Sequence, residues 1–126
     1  MIGQPRFWLR FEGLVALGVG FALYGTLGGE WLWLLPLLLL VDVSMLGYLA
    51  GPSVGATAYN LAHNWGTALG VLVVGVLTAT PVLEIAGAVL VAHVGFDRVL
   101  GYGLKYPTAF QDTHLGRIGR RPPPTD

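Results

Sequence analysis

At 126 residues the chain fits one domain; 54% of it is hydrophobic, 11% is charged, and its mean hydropathy is +0.65. A water-soluble domain carries about twice that charge, so a membrane is the expected solvent. The formal net charge is zero and cysteine is absent, which excludes disulfides and thiolate metal sites; with no basic stripe interleaved with aromatics, no nucleic-acid partner is expected.

Gly and Pro divide the chain into apolar blocks of membrane length, about 20 residues each. The first is FWLRFEGLVALGVGFALYGTLGG, with its apolar core from Gly13 to Gly28. It has the basic start and apolar middle of a signal peptide, but Glu12 interrupts it and no clear small-x-small cleavage site follows; it is read as a retained span. The second block is EWLWLLPLLLLVDVSMLGYLAG. From Val43 to Leu83 no Asp, Glu, Lys or Arg occurs, too long a run for one span, and Gly51-Pro52 supplies the break before the third block, VGATAYNLAHNWGTALGVLVVGVLTAT. The fourth starts at Pro81, a favoured first helical position, and ends before Pro107, which cannot continue a helix.

The reading is therefore an all-α, polytopic bundle of four transmembrane helices over residues 1–106. Residues 107–126 form a basic cytoplasmic tail whose last six residues are expected to be disordered. With both termini cytoplasmic, every Lys and Arg (Arg6, Arg10, Arg98, Lys105, Arg117, Arg120, Arg121) falls at or near the cytoplasmic face, and Glu30 and Glu84 fall opposite. An odd number of spans breaks this sorting. Trp8, Trp31, Trp33, Tyr102 and Tyr106 fall near the interfaces, where amphipathic rings are favoured.

Helical rise, about 1.5 Å per residue, gives depths. Asp42 and His93 each lie about 18 Å from the outer edge, and His63 about 15 Å from the inner one. Three ionisable residues from three helices thus share one layer near mid-membrane, with Asp97 and Glu12 about a turn nearer the cytoplasm. Asn60, His63, Asn64 and Thr67 follow i, i+3, i+4, i+7 spacing and predict a polar stripe on the third helix. An ionisable group in hydrocarbon costs several kcal/mol unless partnered, so such residues face the bundle interior.

Two imidazoles and a carboxylate suit a divalent metal. Asp42, His63 and His93 are the candidate ligands, zinc first, with iron or manganese as alternatives. Asp97 and His114 are the candidate catalytic or completing residues, and Asn60, Asn64, Ser44 and Glu12 the supporting ones. The spacing is not diagnostic: there is no HExxH and no HxxxH. Blander readings stand beside it. In these, Asp97 pairs with Arg98 at a helix end, the histidines bond across helices as packing glue, Asp42 sits protonated, and Glu12 pairs with Arg10 or Arg98. Gly25-x-x-x-Gly29, Gly47-x-x-x-Gly51 and Gly66-x-x-x-Gly70 permit close helix approach and leave a homodimer open.

The segments RFEGLVALG, DVSMLGYLAGPSVGATAYNLAHN and AHVGFDRVLGYGLKYPTAFQDTHLGRIGR resemble a family of small bacterial integral membrane proteins, the domain of unknown function 4260, over roughly Leu9 to Arg120. The resemblance implies a multi-pass protein of the bacterial cytoplasmic membrane and brings no activity, substrate or cofactor. Its motif words include Asp42, Ser44, Tyr48, Asn60, His63, His93, Asp97, Arg98, Lys105, Asp112 and His114.

The leading expectation is a membrane-embedded, metal-dependent hydrolase-like protein acting on a lipid or other amphiphile that enters from the cytoplasmic half. A proton-coupled carrier and a non-catalytic accessory or structural subunit are the alternatives. Haem ligation by His63 and His93 is a weaker fourth, lacking an attachment motif.

Overall fold

The structure, a computed structural model, describes residues 3–102, 112, 113 and 115–117. Helix α1 runs Pro5–Thr26, with proline in its first turn, where the missing N–H costs nothing. Helix α2, Trp31–Leu40, carries Pro36 inside it and passes directly into a 3-10 helix over Val41–Ala50. Gly51, at φ 118°, a conformation open mainly to glycine, ends it. Helices α3, Pro52–Ala62, and α4, Trp65–Leu77, follow, and α5 runs Pro81–Leu100. In the tail, β1 (Asp112–Thr113) pairs antiparallel with β2 (Gly116–Arg117), Asp112 opposite Arg117.

Two expectations change here. The second block is not one α-helix. Ten residues of 3-10 helix is long for that form, which eclipses side chains every third residue. The burial pattern has that period: Val43, Leu46 and Leu49 are exposed, while the intervening residues through Tyr48 are partly covered. The third block is not continuous either. It breaks at His63–Asn64, and α3 and α4 diverge by 44°. The predicted stripe of Asn60, His63, Asn64 and Thr67 is therefore split, because Asn64 caps α4: its Oδ1 accepts the Thr67 N–H at 2.8 Å.

Helix α5 is the centre, with half of its 20 residues buried. It packs against α1 on one side and α4 on the other through small residues, the means by which helices approach closely in lipid. A Cβ on Gly95 would lie 2.6 Å from the Leu17 nitrogen, and one on Gly87 2.5 Å from Leu72 Cα. Tyr24, Ala88 and Val89 form the buried apolar cluster under α2, with Leu34, Leu37 and Val41 against it. The 3-10 helix and α3 form a separate hairpin, where Gly47 meets Ala58 and Gly55 admits the Tyr48 ring.

Pro5–Thr26 and Trp31–Ala50 are long and apolar enough to cross a membrane, and the bent pair α3–α4 would make a third crossing. The fourth expected span, α5, falls outside that set; Glu84, Asp97 and Arg98 reduce its apolarity.

Candidate metal centre

The break at His63 builds the site. His63 is the C-terminal cap of α3 at φ −116°, and its side chain is fully buried. Its Nδ1 lies 2.8 Å from the Tyr59 carbonyl oxygen. A carbonyl can only accept, so Nδ1 carries the proton and Nε2 of the neutral ring presents a lone pair. The same Tyr59 stacks its ring on the imidazole, centroids 3.8 Å apart and planes 5° from parallel, and its hydroxyl donates to Asp97 Oδ2 at 3.1 Å. Tyr59 thus fixes the His63 ring's plane and tautomer and orients the neighbouring carboxylate.

Three elements, the 3-10 helix, α3 and α5, deliver side chains to one point. His63 Nε2 is 3.0 Å from His93 Nε2 and 3.2 Å from Asp42 Oδ1, and His93 Nε2 is 3.1 Å from the same Asp42 oxygen. A tetrahedral zinc with bonds of 2.0–2.1 Å has ligand–ligand edges of about 3.3 Å, so this triangle is close to one face of such a site. Asp97 Oδ2 stands 3.5 Å from His63 Nε2 and 3.6 Å from His93 Nε2. His93 and Asp97 lie one turn apart on α5 and are both buried, whereas the Asp42 side chain is 38% exposed. The cluster is sealed on the α5 side and open past Asp42.

Arg98 is buried, yet it does not pair with Asp97. Its guanidinium donates to the His63 carbonyl at 3.1 Å and to the Tyr102 carbonyl at 2.9 Å. The first bond satisfies a carbonyl left over where α3 stops. The second spans the end of α5, where Gly101 adopts the left-handed conformation and the Tyr102 N–H reaches the Asp97 carbonyl at 2.8 Å.

The structure brings together Asp42, His63 and His93, whose ligand atoms all lie within 4.8 Å of one another, and sets Asp97 beside them. Asn64 is consumed by capping: besides its bond to Thr67, its amide donates to the Asn60 and Leu61 carbonyls at 2.7 and 3.0 Å. Asn60 contributes that backbone carbonyl. Ser44 Oγ is buried and has no hydrogen-bond partner among the described residues. Glu12 is exposed, stands outside the cluster beside Phe11 and Trp65, and makes no ion pair with Arg10 or Arg98 among the described residues. His114 and Lys105 lie outside the described residues. Tyr59 is a residue of the cluster that sequence reading passed over; its signal was the Tyr59-x-x-x-His63 spacing, which puts both rings on one helix face.

A family model described as a domain of unknown function (DUF4260) matches residues 6–118. No curated protein matches the chain, and no solved structure does.

Proposed function

Since the chain belongs to the DUF4260 family, whose description carries no activity, we propose a function from the side chains themselves: an intramembrane divalent-metal centre held by Asp42, His63 and His93, with hydrolase-like action on an amphiphile. The observation that carries this reading is the convergence of lone pairs. In its neutral form His63 carries no proton on Nε2, two carboxylate oxygens lie within 3.2 and 3.5 Å of that nitrogen, and His93 Nε2 lies 3.0 Å away. Such a set repels itself unless a cation or a shared proton sits among it. Zinc suits the donors best, with iron or manganese next.

A divalent ion there supplies polarisation of a carbonyl or phosphoryl oxygen and an acidified water. Asp97 accepts the proton of the water that adds to the acyl carbon. That proton then passes to the departing oxygen or nitrogen as its bond to the acyl carbon breaks, leaving an acid and an alcohol or amine. Tyr59 holds Asp97 Oδ2 in place for this transfer.

The bundle lies in the bacterial cytoplasmic membrane with α5 as the fourth crossing and both termini on the cytoplasmic side. Arg10 Nε donates to the Val99 carbonyl at 2.8 Å, which sets the start of α1 beside the end of α5. Arg6, Arg10 and Arg98 therefore collect at one end of the bundle, as a positive-inside arrangement requires.

Elemental analysis of the purified protein tests the centre. About one equivalent of zinc, iron or manganese per chain is expected in the wild type, falling at least tenfold in Asp42→Ala and His63→Ala. A metal-free wild type after purification without chelators, unable to take up added zinc, overturns the proposal. A second reading rests on the same contacts: one proton on His93 Nε2, shared with His63 Nε2 and Asp42 Oδ1, also satisfies the set and suits a proton-coupled carrier. It predicts pH-dependent flux in liposomes with no stoichiometric metal.

A further inference from the structure

At the Arg-rich end of the bundle, the first turns of α1 and the last turn of α5 bound a pocket of about 430 Å³ that no residue of the metal cluster lines. Arg6 and Arg10 stand one helical turn apart on α1, and both line it. Arg10 is held in position: its Nε donates to the Val99 carbonyl at 2.8 Å, one of the carbonyls left without an intrahelical partner where α5 stops. That bond uses one of the five N–H groups of the guanidinium. The Arg6 side chain has no hydrogen-bond or ion-pair partner among the described residues, and no carboxylate among them lines the pocket. Glu12, the nearest acid in sequence, lines a different pocket with Phe11 and Trp65. Arg98, the other cation at this end, is engaged by the His63 and Tyr102 carbonyls. Two cations therefore share one pocket with no counter-charge among the described residues.

The rest of the lining identifies the ligand. Phe7, Phe11 and Leu14 are exposed and wall the pocket beside the two arginines. They recur at i, i+4 and i+7, so they form one row on α1. Gly18 continues that row, and a Cβ placed there meets nothing within 4 Å. From Phe7 to Gly18 the row rises about 16 Å, on a helix long and apolar enough to cross a membrane. A free phosphate matches the guanidinium pair but leaves the row uncovered. An acidic peptide would lay backbone N–H and C=O groups against hydrocarbon. A lipid supplies both halves: phosphate oxygens for the planar guanidinium forks, and a hydrocarbon chain for the row. We infer that this pocket binds an anionic phospholipid, its phosphate between Arg6 and Arg10 and one acyl chain along Phe11, Leu14 and Gly18. A zwitterionic head would bring its own ammonium up to two guanidinium groups, which like-charge repulsion disfavours. The site is separate from the metal centre and rests only on α1 lying in the bilayer.

Any cation at an anionic bilayer surface attracts lipid through its charge alone, so the test separates pocket from charge. Purified full-length protein in one neutral detergent is titrated with phosphatidylglycerol and phosphatidylcholine of identical acyl chains, and lipid-bound states are read by native mass spectrometry. The wild type is expected to bind its first phosphatidylglycerol at least tenfold more tightly than phosphatidylcholine. Arg6→Gln combined with Arg10→Gln is expected to cut that preference to less than twofold. Arg120→Gln combined with Arg121→Gln removes the same charge elsewhere and is expected to retain it. Arg6→Gln alone breaks no side-chain bond among the described residues; it is expected to lower the preference at least threefold, and it stands in should the double variant fail to fold. A large excess of inorganic phosphate is expected not to displace the lipid. No preference in the wild type, or equal preference in the folded Arg6 and Arg10 variants, overturns the site. An equal loss in the Arg120 and Arg121 variant shows attraction by net charge and overturns it too. Displacement by inorganic phosphate shows that the acyl row contributes nothing and overturns the lipid assignment. Metal content of the same samples is expected to be equal, which keeps this outcome apart from that of the metal centre.

Discussion

The imidazole of His63 lies flat against the phenol ring of Tyr59, and one residue thereby touches three parts of the site. Its ring covers His63, its carbonyl receives the Nδ1 proton, and its hydroxyl reaches Asp97. Tyr59→Phe removes only the last of these. Metal affinity is expected to fall by the roughly 10–100-fold typical of outer-sphere partners, with melting temperature nearly unchanged. Tyr59→Ala removes the stack as well and is expected to cost about 3–5 kcal/mol of stability. Chelator competition and thermal unfolding separate the two; wild-type affinity in Tyr59→Phe counts against the role given to the hydroxyl.

Acidification is expected to empty the centre. Imidazole ligates only when neutral and carboxylate only when ionised, so protons compete directly with the metal. With two histidines among the ligands, affinity falls by up to about two log units per pH unit where both imidazoles take up protons in the empty site. The stabilisation that metal confers, about 2.7 kcal/mol at 100 times its dissociation constant, is therefore expected to shrink on acidification. Unfolding with and without zinc over a pH series reads it directly; a zinc effect independent of pH would rule out histidine ligation.

Arg98 bridges two carbonyls from different elements with one planar fork. Lysine carries the charge but not the fork. Arg98→Lys is expected to cost about 1.5–3 kcal/mol, the worth of one charged hydrogen bond, and to loosen the α3 end that holds His63. Protease sensitivity at the His63–Asn64 break, compared between the two proteins, checks the location of the effect. Unchanged stability and unchanged cleavage would show the bridge to be dispensable.

Two glycines on α1 differ sharply in what they permit. A Cβ on Gly20 would lie 2.7 Å from Ala92 Cβ, whereas one on Gly18 meets nothing within 4 Å. Gly20→Ala is expected to destabilise by about 1–3 kcal/mol; Gly18→Ala is expected to be neutral or slightly stabilising. Melting of both variants in the same detergent decides it, and equal behaviour would contradict the α1–α5 seam.

Asn64→Ala removes the α4 cap at a cost of about 1 kcal/mol. Because Asn64 turns its amide to backbone and to Thr67, one equivalent of metal is expected to remain. Loss of metal in a folded Asn64→Ala protein would restore it as a ligand-orienting residue.

Depth arithmetic on the sequence was enough to place Asp42, His63 and His93 in one layer, since it depends only on helical rise and on where breakers fall. The local geometry that aims them was hidden for identifiable reasons. Asn64 reads equally well as a stripe residue or as a cap, and only the 44° bend decides between them. The 3-10 stretch has a period-three row of Val43, Leu46 and Leu49, but an all-apolar surrounding masks it. The Gly-x-x-x-Gly matches located the 3-10/α3 contact through Gly47 but not the α5 seams: Gly70 meets nothing within 4 Å, while Gly13, Gly20, Gly87 and Gly95, in no such match, carry the close approaches of α5 to α1 and α4. Spacing registers opportunity for close packing, and the partner helix determines which opportunities are used.

The ten 3-10 residues also alter how far the second block reaches. As α-helix throughout, its 20 residues would extend about 30 Å, the thickness of the hydrocarbon layer. With half of them rising about 2.0 Å each, the rod reaches about 35 Å. In the proposed membrane-crossing arrangement that surplus would set up a hydrophobic mismatch, relieved by leaning the rod or swelling the surrounding leaflet, and bilayer thickness would become a mechanical input to the segment on which Asp42 rides.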